Sequence, residues 1–273
     1  MIKKIIFLFF VVLAIIYFRG INNHMKTNNS NSKIRIVSLS PSVTKKIIEL
    51  DKTEYLVGRT FFCNYNEVKN VDVVSDLTHF NIDKIILLHP THVISEYPID
   101  EKSLYILKKN NINVISLNTP KSIKDIIANT EIIAHITSSE NKLKQLIKEF
   151  NGLKPLKQFT NHSVYFVLAS GTSEFTAGKN TYINDFINLI GAKNIASNVN
   201  NWSYSKEYLL NSNPEFFMGS TFSIDQISKI SQYKNITAIK SKNYIYILPE
   251  VLNVPTIGNI ISSYKYISNQ KIN

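Results

Sequence analysis

Short apolar strands alternate with amphipathic helices on both sides of one stretch, residues 122–153, that keeps helical spacing and carries no strand signal. Ahead of it, runs at 34–39, 55–57, 71–74, 92–95 and 113–117 read as strands, with helices at 43–50, 82–88 and 101–110. Strands that follow one another through helices pair in parallel, because a crossover must carry the chain back to the starting edge. Within 122–153, Ile123, Ile126 and Ile127, then Leu143, Leu146, Ile147 and Phe150, recur at three- and four-residue steps, as one long helix or two in series. Alternation then resumes, with strands at 164–169, 215–218 and 244–248, helices at 182–190, 205–210 and 224–230, and a last helix after Pro255. The expected architecture is α/β, with a lobe over 34–120, a helical bridge over 121–155 and a second lobe over 156–273.

At 273 residues the chain is long enough for two lobes that each bury a core, and 44% apolar residues fit a folded protein. The net charge of +11 raises the question of nucleic acid. Lysines spread over helix-surface positions, with no arginine-rich run or nucleic-acid motif, read instead as a solvated surface. Cys63 is the single cysteine, which excludes an intrachain disulfide and a thiolate cluster.

The N-terminus carries an export signal. Lys3 and Lys4 precede an unbroken apolar run over residues 5–18, followed by Arg19 and a polar stretch at 22–32. The run is shorter than the roughly 20 residues of a spanning helix and suits the apolar region of a secretory leader. No small-x-small cleavage site stands out and no cysteine follows for lipidation, so residues 1–20 read as a signal peptide or a retained membrane anchor, ahead of a polar linker at 21–33. Either way, the remainder is expected in the periplasm or on the extracytoplasmic face.

An internal correspondence links the halves. Asp83 lies seven residues before Pro90, and Glu207 seven before Pro214, each acid opening a short helix that must stop ahead of the proline. In the first helical turn the dipole favours a carboxylate. On spacing alone, two independently capped helices explain the match as well as a shared role does.

In order and spacing, these segments resemble the iron-chelate and cobalamin branch of periplasmic binding proteins. The resemblance rests on Arg35-Ile36-Val37-Ser38-Leu39-Ser40-Pro41-Ser42-Val43-Thr44, Leu56-Val57-Gly58, Asn81-Ile82-Asp83-Lys84-Ile85, Thr176-Ala177-Gly178-Lys179 and Ile190-Gly191-Ala192-Lys193-Asn194-Ile195. It implies two Rossmann-like lobes joined by a long bridging α-helix, with a ligand cleft between them. The implied function is capture of a corrinoid, a ferric siderophore or haem for an ABC permease dimer in the inner membrane, without a resident cofactor. Asp83 and Glu207 match the acids that dock such proteins on permease arginines. Matching cleft positions are Ser40, Pro41 and Ser42, then Phe61 and Phe62, His79, Ser170 and Trp202, with Phe62 and Trp202 the foremost contacts for a flat ligand. Two departures stand out. Lys45 replaces the usual acid after the Ser-Pro-x-x-Thr motif, and Asn253-Val254-Pro255-Thr256 lacks an arginine that helps hold anionic chelates.

Three other readings compete. A direct zinc or manganese receptor would draw on His24, His79, His89, His92, His135 and His162, of which only His79 falls in an expected cleft loop. A haem pocket would find axial-ligand candidates in Tyr65, Tyr97, Tyr204 or His79. A membrane-tethered sensor would keep the fold without serving a permease. An enzyme has no support: Ser40 and Ser42 lack the glycines of a nucleophile elbow, and Thr176-Ala177-Gly178-Lys179 lacks the glycine spacing of a phosphate loop.

Overall fold

The computed structural model describes residues 33–75, 79–171, 173–200 and 202–270. The expected leader, residues 1–20, and all but the last residue of the linker lie outside them. The first sheet contains β1 (Ile36–Ser38), β2 (Leu56–Arg59), β3 (Asp72–Val73), β4 (His92–Ser95) and β5 (Asn113–Ser116), in the order β3-β2-β1-β4-β5 and parallel throughout. The crossovers are α1 (Pro41–Glu49), α2 (Ile82–Leu87) and α3 (Glu101–Lys109). Pro41 opens α1 at the position where its missing N–H is not needed, and Asn81 and Asp100 cap the other two through their side chains. Val37, Leu39, Val74, Ile85, Val93, Leu107 and Ile112 form one buried cluster between sheet and helices.

The second sheet repeats the first. Its strands, β6 (Ser163–Val167), β8 (Lys193–Asn194), β10 (Phe216–Gly219) and β11 (Tyr244–Tyr246), run in the order β11-β10-β6-β8, again all parallel. Reversed, β8-β6-β10-β11 matches β2-β1-β4-β5 strand for strand. Helices α6 (Tyr182–Leu189), α7 (Lys206–Ser212), α8 (Thr221–Ser228) and α9 (Thr237–Lys240) serve this lobe, and Gly191, at φ 89°, supplies the left-handed turn after α6. A two-stranded antiparallel ribbon, β7 (Glu174–Phe175) with β9 (Ser203–Tyr204), stands beside the sheet. Sequence periodicity did not anticipate it, because two-residue strands carry no period.

Of the two readings of the bridge, one long helix or two in series, the structure has the second, α4 (Ile123–Thr137) and α5 (Glu140–Asn151), in place of the single long helix the resemblance implies. Ser138, at φ 51°, is left-handed and ends α4, which the apolar spacing on either side does not reveal. Helix α4 packs on α1 of the first lobe and α6 of the second, and its Ile123 N–H donates to Asp185 Oδ2 at 2.9 Å. After α10 (Pro249–Asn253), the last helix, α11 (Ile257–Ser268), lies along the bridge, with Lys265 paired to Glu149 at 2.6 Å.

The acid-to-proline correspondence has a shared geometry. Asp83 and Glu207 each occupy the second position of a short helix whose preceding residue, Asn81 or Ser205 at the cap, accepts a backbone N–H. The residues before Pro90 and Pro214 are His89 and Asn213, at φ 45° and φ 41°, so both chains leave the helix through a left-handed residue before entering β4 or β10.

Candidate ligand-binding cleft

In open parallel sheets, ligands bind beyond the carboxyl ends of the strands. Here those ends face a cleft of about 380 Å³. From the first lobe it is lined by Ser42 at the start of α1, Glu96 and Tyr97 just after β4, and Thr119, Pro120 and Lys121 after β5. From the second come Asn180, Thr181 and Tyr182 at the start of α6, and Trp202 before β9. Leu252, Asn253 and Pro255, on the way to α11, close it. A neighbouring hollow of about 670 Å³ shares Tyr97, Leu252 and Asn253 and adds Pro41, Phe62 and Val254, so the two form one groove.

The groove therefore brings together Pro41, Ser42, Phe62 and Trp202 of the positions expected from the resemblance. Ser40 is fully buried behind it, its Oγ accepting the Glu96 N–H at 2.8 Å, so it fixes the β4 loop rather than facing ligand. Phe61 is 58% exposed and meets Phe62 edge to face at 5.8 Å, outside the groove lining. His79 lies on a separate hollow of about 510 Å³ with Val73, Phe80 and Lys84. Ser170 follows β6 with its Oγ buried and outside the lining residues. Asp83 and Glu207 stand exposed, one on each lobe.

Beneath the groove lies a charged network that the sequence reading missed. Lys46 Nζ is 2.6 Å from Glu96 Oε1, and both side chains are withdrawn from solvent. Nζ also donates to the Pro255 carbonyl at 2.9 Å. Ser42 Oγ donates to Glu96 Oε2 in a very short bond, Asn129 Nδ2 donates to Oε1 at 3.1 Å, and Thr119 Oγ1 to the Glu96 carbonyl at 3.1 Å. Burial pulls the Lys46 ammonium below the usual lysine value, with Glu96 opposing that most strongly. One signal was available: Lys46 sits three residues after Val43 and one before Ile47, on the buried stripe of α1.

The second missed feature is the return of the C-terminal segment. Glu49, at the end of α1, accepts from Thr256 Oγ1 at 2.5 Å and from the Gly258 N–H at 3.1 Å, holding the first turn of α11 against the first lobe. Burial pushes the Glu49 carboxyl above the ordinary carboxylate range, although these two hydrogen bonds and Lys45 and Lys46 draw it back.

The tyrosines differ in availability. Tyr182 donates to the Leu252 carbonyl at 2.6 Å and Tyr65 to that of Pro41 at 3.3 Å. Tyr204 reaches the Ile195 carbonyl at 3.4 Å. Tyr97 is half exposed on the groove wall, and burial followed by the Glu96 charge raises its hydroxyl above the ordinary tyrosine value. The histidines are dispersed: His92 contacts Thr91, His135 pairs with Glu140 and His162 with Glu215. Among the described residues, no three His, Cys, Asp or Glu side chains converge on one point that would hold a metal ion.

Two α/β lobes of matching topology, closed on a groove at their strand ends, define a protein that captures a small molecule. Residues 36–252 match the periplasmic binding protein family, and the chain belongs to that family. It is 26% identical over 232 residues to the ABC transporter substrate-binding lipoprotein YvrC of Bacillus subtilis, covering 80% of this chain and 74% of that one. It is 23% identical over 243 residues to a cobalamin-binding protein of Halobacterium salinarum, covering 81% of this chain and 65% of the relative's length. The crystal structure of the periplasmic heme-binding protein HutB of Vibrio cholerae shares the fold, with a TM-score of 0.74 at 23% identity over 87% of this chain and 98% of that one. The chain is thus a substrate-binding protein of the ABC importer type, and its family consists of binding proteins.

Proposed function

We propose that the chain captures a corrinoid outside the cytoplasm and delivers it to a permease. The observation that carries the choice of ligand is the chemistry of the groove wall. Its polar groups are mostly neutral: Asn180, Asn253, Ser42, Thr119 and Thr181. Glu96 is offset by Lys46, and among the described lining residues Lys121 is the one remaining cation and none is arginine. Trp202, Tyr97 and Phe62 add aromatic faces. A corrin ring is a flat body fringed with neutral amides, which such a wall can meet by hydrogen bonds and stacking. Haem carboxylates and anionic ferric chelates call for guanidinium forks instead. The cobalamin-binding relative from Halobacterium salinarum supports this reading.

Delivery rests on Asp83 and Glu207 as docking acids for the permease, and export on the charged and apolar leader of residues 1–20. Among the described residues, no helix is long and apolar enough to cross a membrane. The groove offers capture chemistry, and we read the protein as a binder rather than a catalyst.

Titrating the purified chain with cyanocobalamin, haem and ferric citrate, followed by absorbance and calorimetry, tests the assignment. Saturable 1:1 binding of cyanocobalamin, with haem and ferric citrate much weaker, is expected. Tight haem binding with a tyrosinate-type spectrum lost in Tyr97→Phe, and no cobalamin binding, would replace the corrinoid by haem.

A further inference from the structure

Among the described residues, four of the five buried side-chain oxygens without a hydrogen-bond partner lie between positions 165 and 176: Tyr165 Oη, Ser170 Oγ, Glu174 Oε2 and Thr176 Oγ1. Tyr165, Glu174 and Thr176 are fully buried. Buried polar atoms are normally paired, and an unpaired carboxylate oxygen is the most unfavourable of them. So many in one short span point to an occupant.

Glu174 specifies its charge. Oε1 accepts from the Tyr233 hydroxyl at 2.8 Å, and burial, followed by that contact, pushes the Tyr233 phenol up to about 12, so it serves as a neutral donor. No lysine or arginine pairs with Glu174 among the described residues; Lys206, on the neighbouring helix, donates to the Gly171 carbonyl at 2.6 Å instead. Tyr165, close to Glu174, Tyr233 and Tyr204, is also held neutral by burial, and its hydroxyl lies near that of Thr176, so the two hydroxyls converge on each other while Glu174 Oε2 is left without a donor. The cluster thus offers one carboxyl group and several neutral hydroxyls, all hard oxygen donors. A single positive charge balances it, whereas a divalent ion would leave a buried excess.

We propose that Glu174, Tyr165 and Thr176 bind a monovalent alkali cation beneath the ribbon that carries Trp202. The ribbon pairs Glu174 with Tyr204 and Phe175 with Ser203, and the Thr176 N–H donates to the Trp202 carbonyl at 2.7 Å. Two residues of the cation site are therefore built into the backbone that seats Trp202 on the groove wall. The site is separate from the groove and does not depend on which molecule the groove takes.

Trp202 is the only tryptophan, so emission reports directly on this ribbon. The full chain, free of organic ligand, is titrated with NaCl or KCl against N-methyl-D-glucamine chloride at constant ionic strength, following Tm and tryptophan emission. Both signals are expected to change along a saturable curve with one or both alkali ions and to stay flat with the organic cation. Thr176→Val and Tyr165→Phe are expected to weaken that response about tenfold, the loss of one good oxygen contact, and Glu174→Gln to abolish it. Identical Tm and emission in all three salts would mean that no alkali ion binds at these oxygens and overturns the proposal. So does an alkali response that Glu174→Gln and Thr176→Val leave undiminished. The wild-type salt comparison and Thr176→Val decide the matter even where Glu174→Gln fails to fold.

Discussion

Lys46 and Glu96 face each other at 2.6 Å under the groove, and the same ammonium holds the Pro255 carbonyl at 2.9 Å. Three segments far apart in sequence, α1, the end of β4 and the approach to α11, therefore meet on one charge. The pair is costly to bury and costlier to break. Glu96→Gln leaves an ammonium without its counter-charge and is expected to lower stability by about 3–5 kcal/mol in urea denaturation, whereas Lys46→Met with Glu96→Leu recovers most of that loss. Lys46 is already depressed in the folded state, and without Glu96 it falls further. The unfolded chain then binds the extra proton, so stability is present above the unfolded lysine value and is lost as pH falls through the folded one. The Glu96→Gln variant should accordingly gain stability as pH rises toward the lysine range; an unchanged or falling curve would remove the pair from this role.

Glu49 gives the opposite slope. Its folded value is raised, so the folded state holds the proton more tightly, and its contribution is fully present below the unfolded carboxylate value and declines as pH rises through the folded one. Comparing wild type with Glu49→Gln cancels the other carboxylates. The stability difference, wild type minus variant, is expected to fall from acid pH upward and level off above the raised value. Thermal unfolding from pH 4 to 8 measures it, and a difference that rises with pH contradicts the assignment.

The alternation of strands and helices was legible because each lobe is built from local periodicity; β4, for instance, runs over His92–Ser95 as the apolar run indicated. The acid-to-proline spacing also translated directly, since proline dictates where the helix before it must stop. The groove was half legible. Trp202 and Phe62 could be found as aromatics in polar surroundings, and Tyr97 as a candidate haem ligand, but Glu96 and Asn180 line the groove only because strand ends from distant segments converge. Lys46 signalled its burial by standing on an apolar stripe, yet nothing local names its partner 50 residues on. The return of residues 254–258 to Glu49 is likewise set by tertiary contacts.

Trp202 is 37% exposed, and its backbone carbonyl, not its ring, holds the ribbon through Thr176. Removing the ring should therefore spare the fold. Trp202→Ala is expected to weaken corrinoid capture roughly 2- to 10-fold, the worth of about 0.5–1.5 kcal/mol of aromatic stacking, while Trp202→Phe keeps most of it. Absorbance titration with cyanocobalamin measures both. Equal affinity in all three proteins would place the ligand away from the Trp202 wall.

Asp83 and Glu207 test delivery separately from capture. Both are exposed in the first turn of helices that recur on matching strands of the two lobes, so a two-fold permease could meet them as one pair of anions. Their local worth is small, since a carboxylate at a helix start contributes about 0.3–1 kcal/mol, and neither lies in the groove lining. Asp83→Ala and Glu207→Ala should each leave ligand affinity within about twofold and stability within about 1 kcal/mol. The double variant is expected to cut ligand uptake, or stimulation of the permease ATPase in vesicles, by at least about tenfold, because two charge-assisted contacts of about 1.5–3 kcal/mol are removed together. Each single variant should fall between it and wild type. If the double variant binds ligand normally and still supports full uptake, the acids only stabilise their helices, and the permease reads another face of the lobes.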